Sequence, residues 1–207
     1  VQFLQLLSEK YQQTEFNPII EKAVSWTFNN PVKTWDWTGQ FEDVDAAKPY
    51  ENLTKYEASW FAQYLLNHPD EQGYHRSLAV RLIDFCEDQF VVWEQPGIYD
   101  NWNNSSQSWH VPAVLEQYHC YVPIDASAVQ MIDTYQLAWI KTGEPIYFEK
   151  ALTLANSVVN VQEDCGRIPT FWAAGFEEFW NNCMVSSLWM LNRMKDYMPA
   201  PKKENQP

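Results

Sequence analysis

Apolar residues recur every three or four positions over most of the chain, which is the spacing of one face of an amphipathic helix. This pattern predicts about seven helices, including one from about Tyr74 to Phe90 and a last one from about Phe176. The clearest helix begins near Asp125 and stops at Gly143, because glycine readily takes the left-handed conformation that closes a helix. Pro145 then suits the first position of the next helix.

The connections between these helices alternate in length. Three are short: 14–18, 68–73 and 142–145. Three are much longer: 29–53, 91–123 and 161–175. Short turns make neighbouring helices antiparallel. We therefore expect the three long connections at one end of the structure, where the third, fifth and seventh helices begin.

A weak internal repeat supports this order. Trp60–Pro69 and Ala138–Pro145 each combine the end of a helix with a short turn, and each is followed by a helix containing Leu-Ala. Hairpin repeats of this kind are typical of solenoids and closed toroids. The predicted fold is all-α, with antiparallel helical hairpins that form an α/α-toroid or an arc of one. We expect one domain over residues 1–198 and a flexible tail at 199–207.

Three stretches carry a resemblance to a known family. Thr142–Ala155 followed by Gly166–Pro169, and Gln40–Val44 before a new helix, resemble the hairpin pattern of six-hairpin glycosidase-like proteins. These are α/α-toroid enzymes that act on polysaccharides. The resemblance covers most of the chain, is one of architecture, and transfers no catalytic residue. A full ring has about twelve helices against about seven here, so the chain is expected to be the C-terminal part of a larger toroid or a smaller open arc.

Tryptophan is unusually frequent, with 11 residues, and its placement suggests a ligand. Six lie in the long connections: Trp35, Trp37, Trp93, Trp102, Trp109 and Trp172. An exposed indole can stack on the C–H face of a sugar and donate a hydrogen bond at its edge. The candidate sugar-binding residues among them are Trp37, Trp102, Trp109 and Trp172. In the alternative interpretation, these loops fold inward and the indoles fill the ring. The helical tryptophans are expected in the core or in an interface: Trp26, Trp60, Trp139, Trp180 and Trp189.

The long connections also carry carboxylates: Asp36, Glu42, Asp43, Asp45, Asp100 and Glu116. Glycoside hydrolysis commonly uses two carboxyl groups, one as the acid and one as the base or nucleophile. A carboxyl group that is desolvated beside tryptophan can have a raised pKa, which suits a general acid. Glu42, Asp43 and Asp36 are therefore candidate catalytic residues. The alternative for each is a solvated acidic loop.

A second cluster, Glu116–Tyr121, ends just before the helix that begins near Asp125. His119 is a candidate general base, because the ordinary pKa of histidine lies near neutrality. Its alternative role is a hydrogen-bonded histidine at a helix entrance. Tyr118 is a candidate substrate contact, and Asp125 is most simply an N-cap.

We predict a glycoside hydrolase that cleaves an oligosaccharide or polysaccharide with loop carboxylates. One alternative is a polysaccharide lyase acting on a uronate polymer through Tyr118, His119 and Arg167, since a uronate commonly binds an arginine fork. Another is a non-catalytic module that binds glycan or a partner chain. Only Arg167 among the four arginines lies in a long connection, which favours a neutral sugar.

Other classes of ligand and partner are not indicated. The net charge of -13, from 27 acidic and 14 basic residues, gives no basic stripe for nucleic acid. No apolar run approaches the ~20 residues that cross a bilayer, so membrane insertion is not expected. His110 and His119 lack a third ligand at metal spacing, and no cofactor motif is present, so we expect neither a metal nor a cofactor.

The remaining expectations concern partners and location. If the chain is an arc of a toroid, each hairpin expects a neighbour, so an apolar patch should lie along the first or the seventh helix. The missing half of the toroid or a second chain would cover it. A processed N-terminus would carry no secretory signal, and a periplasmic or secreted location is favoured.

Overall fold

The computed structural model describes residues 1–37, 55–94, 110–117, 121–172 and 178–197, which are mostly helical, with 71% helix and 7% strand. The helices are α1 (Gln2–Tyr11), α2 (Asn17–Asn29), α3 (Pro31–Thr34), α4 (Lys55–Asn67), α5 (Tyr74–Phe90), α6 (Asp125–Thr142), α7 (Pro145–Asn160) and α8 (Asn181–Met194). Short 3₁₀ helices lie at Thr14–Phe16 and Lys195–Tyr197. The predominantly helical class is therefore confirmed, while a closed or open toroid stays a prediction.

A small antiparallel sheet, which the sequence pattern did not predict, joins α5 to α6. Its strands, in spatial order, are β1 (Val91–Val92), β2 (Ala113–Gln117) and β3 (Tyr121–Pro123). Val91 pairs with Val114, and Glu116 pairs with Val122. Strands of two to five residues are too short to show a period-two pattern, so the local sequence does not predict them. The sheet brings the described ends of the long connection 91–123 together beside the start of α6.

The chain divides into two compact units, Val1–Ala58 and Ser59–Pro207. Whether residues 1–198 form one domain stays a prediction, and the tail at 199–207 lies outside the described residues. In the first unit, α1 and α2 are linked through the Ser8 hydroxyl, which donates to the Asn17 side-chain oxygen at 2.6 Å. The exposed large apolar side chains of α1 are Phe3, Leu6 and Tyr11, and whether they form the predicted patch of a toroid arc stays a prediction.

Helix α6 is the centre of the second unit. It packs against α7, α8, β2 and α5. Its Met131, Ile132 and Tyr135 are completely buried, and so are smaller residues on its other faces. A helix that is apolar or small on most sides is expected in a core rather than at a surface. The apolar and small residues on most sides of α6 therefore explain why other elements pack around it.

Side-chain pairs show that α4 runs parallel to α6. Gln130 donates to the Ser59 hydroxyl at 3.2 Å, and one helical turn later Gln63 donates to the Thr134 hydroxyl at 2.9 Å. Residue numbers rise in the same direction along both helices, so the two helices begin at the same end.

Helix α8 is also parallel to α6. Ser187 donates to Asp125 at 3.2 Å, and Arg193 forms an ion pair with Asp133 at 3.0 Å. The predicted common end is therefore confirmed for the starts of α4, α6 and α8. By contrast, α5 is antiparallel to α6, because Arg76 near its start donates to the Thr142 carbonyl at the end of α6.

Local sequence signals predicted the bounds of three helices correctly, whereas tertiary contacts shift the start of a fourth. The bounds of α5, α6 and α7 agree with the prediction, and Gly143 closes α6 with a φ of 77°. The last helix was predicted from about Phe176, but α8 begins at Asn181. The Glu178 carbonyl accepts from the Thr170 backbone N–H, and the Trp180 N–H donates to the Thr170 hydroxyl. The backbone groups of Glu178 and Trp180 therefore bond to Thr170 and not to a preceding turn of α8.

Candidate functional site

Six of the residues singled out from the sequence lie outside the described residues: Glu42, Asp43, Trp102, Trp109, Tyr118 and His119. Their proposed roles stay predictions. The structure describes the other four, Asp36, Trp37, Arg167 and Trp172. Asp36 and Trp37 belong to the first unit, and Arg167 and Trp172 belong to the second.

The described tryptophans follow the expectation only in part: Trp139 and Trp180 are half-buried against other aromatic rings, as expected, but others differ. Trp37 and Trp172, expected as exposed sugar platforms, are both buried, so neither offers an open ring face. The helical Trp26, Trp60 and Trp189, expected in the core or an interface, are about half exposed or more. Loop position alone does not decide burial, because a loop can turn an indole toward the core as well as toward solvent.

Two charged candidates are exposed at the surface. Asp36 is exposed and follows the end of α3. Arg167 donates to the Glu163 carboxylate through Nε at 3.1 Å and Nη2 at 2.9 Å, and its guanidinium lies 4.2 Å from the centre of the Phe179 ring. An exposed ion pair of this kind contributes little to stability.

The residues that the structure does bring together are two carboxyl groups at the start of α6. Asp125 is the first residue of α6, and Glu116 lies on β2. The pairing of β2 with β3 sets their separation, because β3 leads through Ile124 directly into α6. The Asp125 backbone N–H donates to the Thr170 carbonyl at 3.0 Å, which fixes the same point from the other side.

Each carboxyl group has hydroxyl or amide donors. The Ser127 hydroxyl donates to Glu116 in a short hydrogen bond. The Asp125 carboxyl accepts from the Ala126 backbone N–H at 2.7 Å and from the Ser187 hydroxyl at 3.2 Å. Asp125 was predicted to be an N-cap, but Ile124 occupies the cap position and Asp125 is already helical. All four side chains are buried, and we call Glu116, Asp125, Ser127 and Ser187 the carboxyl cluster.

Burial changes the acidity of this cluster. Desolvation, with a smaller contribution from the nearby Glu116 charge, raises the pKa of Asp125 to about 7, although the hydrogen bonds from Ala126 and Ser187 oppose the shift. Burial, together with the charges of Asp125 and Glu116, raises the pKa of the neighbouring Cys183 thiol to about 12. The cluster therefore holds an exchangeable carboxyl proton near neutrality beside an unreactive thiol.

The sequence pattern drew attention to both carboxyl residues but did not predict that they lie close together. Glu116 was counted among six loop carboxylates, and Asp125 was assigned a capping role. A usable signal was present: Asp125 lies between apolar and small residues, Val122-Pro-Ile before it and Ala126-Ser-Ala after it. A lone acidic residue inside such a run is buried, and a buried carboxyl group is where a perturbed pKa is expected.

The described residues form neither a metal site nor a membrane span. Within the described ranges, no group of three or more His, Cys, Asp or Glu side chains could hold a metal ion. No helix in the described part of the chain combines the length and the apolar character that a bilayer span needs. No family model, curated protein or solved structure matches this chain.

Proposed function

We propose that this protein is a glycoside hydrolase in which Asp125 is the general acid and Glu116 is the second carboxyl group of the reaction. The observation that carries the proposal is the pair of carboxyl groups that β2 and α6 bring together, in which burial raises the pKa of Asp125 to about 7. Because the Asp125 side chain is fully buried, a sugar reaches it only if the residues that cover it move aside. A general acid works best when its pKa lies near the working pH, because it is then protonated and still able to donate. An ordinary carboxyl group is already ionised at that pH.

The second carboxyl group supplies the other half of the reaction. Glycosidases commonly place an acid on one side of the scissile bond and a base or nucleophile on the other. Glu116 is close enough to raise the pKa of Asp125 by its charge, and the Ser127 hydroxyl fixes its orientation. Each carboxyl group of the pair is held by a different serine hydroxyl, Glu116 by Ser127 and Asp125 by Ser187, so the two can take separate roles.

The location of the cluster supports a polymeric or oligomeric substrate. It lies at the end where α4, α6 and α8 begin, and the free N–H groups of helix starts favour polar or anionic ligand atoms. The long connections lead into these same helix starts, and they contain six of the 11 tryptophans. Aromatic and carboxylate side chains together suit sugar binding and glycosidic cleavage.

A neutral sugar is favoured over a uronate. The chain has a net charge of -13, which repels anionic polymers over distance. Arg167, the one arginine of the long connections, is already paired with Glu163. The lyase and the non-catalytic alternatives are separated by product: a lyase leaves an unsaturated sugar, a hydrolase does not, and a binding module leaves the substrate intact.

The test uses Asp125→Asn and Glu116→Gln on a panel of neutral and uronate oligosaccharides, with Glu149→Gln on the exposed side of α7 as the control. Loss of a general acid should lower kcat by about 100-fold or more on natural substrates. Aryl glycosides with a good leaving group need little protonation, so Asp125→Asn should keep most of its activity on them. Equal loss on both substrate types would remove Asp125 from the acid role.

The same panel decides between the carboxyl cluster and the acidic loop. Glu42→Gln and Asp43→Asn change the residues that the sequence favoured. Full activity in these two, with loss in Asp125→Asn, supports the carboxyl cluster. Loss in Glu42→Gln or Asp43→Asn with full activity in both cluster variants would contradict it.

A further inference from the structure

Asp125 is held at the contact between two helices of the second unit. It is the first residue of α6, and its carboxyl accepts from the Ser187 hydroxyl of α8 at 3.2 Å. The other hydrogen bond to this carboxyl comes from the neighbouring Ala126 backbone N–H. The side chain is completely buried, and it forms no ion pair with any described residue. The contact between α6 and α8 is therefore neutral at this point only while the carboxyl keeps its proton.

The described groups around this carboxyl supply no positive charge. From β2, the Glu116 charge opposes ionisation of Asp125, and from α8 the neighbouring group is the Cys183 thiol. Helix α5 turns Glu87 toward α6, but this carboxylate bonds Tyr135, about three turns further along α6. Two other packed segments contain no charged residue: 157–160 at the end of α7, and 168–172. Loss of the proton thus leaves a buried carboxylate beside a second negative group, which is costly.

The first half of α8 is the part of this surrounding that is held least firmly. Within residues 181–187, only Cys183 and Ser187 are buried, and both side chains are small. The strands on the other side are held by backbone pairing and by the completely buried Val114 and Val122. Segments with few buried contacts open at the lowest free energy. Residues 181–187 are therefore the segment that yields first.

The second half of α8 is anchored more firmly. Met190 and Met194 are buried, and Arg193 forms an ion pair with Asp133 at 3.0 Å. These contacts lie two or more turns beyond the start of α8 and do not involve Asp125. An opening that begins at the start of α8 can therefore stop before it reaches them.

We propose that residues 181–187 are a movable cover over Asp125, and that they detach from α6 when Asp125 loses its proton. Opening lets water reach the carboxylate, and hydration removes the cost of burying its charge. In the closed form the pKa of Asp125 is raised from 3.8 to about 7, whereas a hydrated carboxyl has an ordinary pKa. The open form therefore gains on the closed form as pH rises between these two values, and gains no further above about 7. The use of this cover for substrate entry rests on the proposed function, while the movement itself does not.

Cys183 reports the movement, because its thiol is buried in the segment that detaches. Labelling of the full chain with a pyridyl disulfide reagent, read by mass spectrometry, gives its rate relative to that of Cys86, a buried thiol on α5. From about pH 5 to about pH 7 this ratio should rise on the order of 100-fold, since each unit of pKa difference is a factor of ten, and then level off. Asp125→Asn should abolish the rise. Asp84→Asn, at an exposed carboxyl of α5, is the matched control and should keep it.

Ser187→Ala provides a second variant, because it removes the hydroxyl that links α8 to Asp125. It should raise the labelling ratio already at about pH 5, where the parent is closed. Circular dichroism checks that each variant is folded.

Hydrogen exchange at the same pH values identifies the segment that moves. A detached stretch as short as 181–187 does not remain helical in water, so its amides should exchange faster, after correction for intrinsic rates, while those of β2 do not. A labelling ratio in the parent that is independent of pH overturns the proposal, and so does a rise that persists in Asp125→Asn. Faster exchange in β2 than in 181–187 also overturns it, because the opening then lies elsewhere. If the cover behaves as proposed but Asp125→Asn keeps full activity, only the proposed function fails.

Discussion

Two buried polar side chains on α6 differ in how many hydrogen bonds their surroundings provide. Asp125 accepts two hydrogen bonds and gains a proton near neutrality. Gln136, only 1% exposed, has no hydrogen-bond partner for either its amide nitrogen or its amide oxygen among the described residues. A carboxyl group can lower the cost of burial by becoming neutral, whereas an amide has no such option.

We therefore expect Gln136→Met to raise the free energy of unfolding by about 1 kcal/mol, because methionine has a similar shape and removes the buried amide. Urea unfolding measures the change. Gln63→Met is the matched control: Gln63 is also buried but donates to Thr134 at 2.9 Å, so its loss should destabilise the protein. A loss of stability in Gln136→Met would show that this amide is satisfied in solution.

Asp125 makes stability depend on pH in a defined window. Its pKa is raised from 3.8 to about 7 in the folded protein, so the folded state binds the proton more tightly than the unfolded state. The contribution of this carboxyl to stability is fully present below about pH 4 and is lost as pH rises through about 7. At about 1.4 kcal/mol per unit, the loss over this window is about 4 kcal/mol.

Asp125→Asn removes that titration and keeps a side chain that can pair with Ala126 and Ser187. The difference in unfolding free energy between variant and parent should therefore move in favour of the variant between pH 4 and pH 8. Denaturant unfolding at several pH values measures this difference, and the other carboxyl groups cancel in the comparison. A difference that stays constant across the window would mean that the pKa of Asp125 is ordinary.

At the scale of single elements, local chemistry decided what the sequence could predict. The ends of α5, α6 and α7 follow from residues inside or next to each helix, such as Gly143 and Pro145. The start of α8 depends on Thr170, and the pairing of β1 with β2 joins Val91 to Val114, so each depends on a partner outside its own element. A hydrophobic pattern carries no information about such pairs, and both were missed.

Gly143 gives a test of the local signal. Its φ of 77° lies in the left-handed region, and nothing lies within 4 Å of where a Cβ would be. Any penalty for a side chain is therefore backbone strain alone. We expect Gly143→Ala to lower the free energy of unfolding by about 1 kcal/mol, and Gly143→Asn by less, because asparagine tolerates this conformation better. Equal stability of the parent, Gly143→Ala and Gly143→Asn would contradict the left-handed conformation at residue 143.

Glu87 on α5 is bonded to α6, to α7 and to Trp93, which follows β1. Its carboxylate accepts from Lys150 at 2.5 Å, from the Tyr135 hydroxyl at 2.9 Å and from the Trp93 indole at 3.1 Å. Glu87→Ala leaves all three donors without their acceptor, and we expect a loss of about 3 kcal/mol in urea unfolding. Glu149→Ala, at an exposed position of α7, should change stability by less than about 0.5 kcal/mol. Similar effects from the two would show that the network adds little.

At the scale of the whole molecule, the alternation of connection lengths was informative. It predicted that α4, α6 and α8 begin at one end, and the pairs Gln63–Thr134 and Ser187–Asp125 confirm this. The carboxyl cluster could not be predicted in the same way, because Glu116 reaches the start of α6 only through the pairing of β2 with β3. The common end at which α4, α6 and α8 begin was thus predictable from the sequence, whereas the closeness of the two carboxyl groups was not.

The last prediction concerns the two compact units. Among the described residues of 1–37, only Ile20 and Trp37 are buried apolar side chains, whereas α4 to α8 contain most of the core. A fragment of residues 55–207 should therefore unfold cooperatively in urea, with a single transition by circular dichroism and fluorescence. A fragment of residues 73–207, which lacks α4, should lose cooperativity, because the buried Leu65 and Leu66 and the Gln63–Thr134 pair are missing. If the longer fragment behaves like the shorter one, residues 1–54 are needed for the core, and the division into units does not hold in solution.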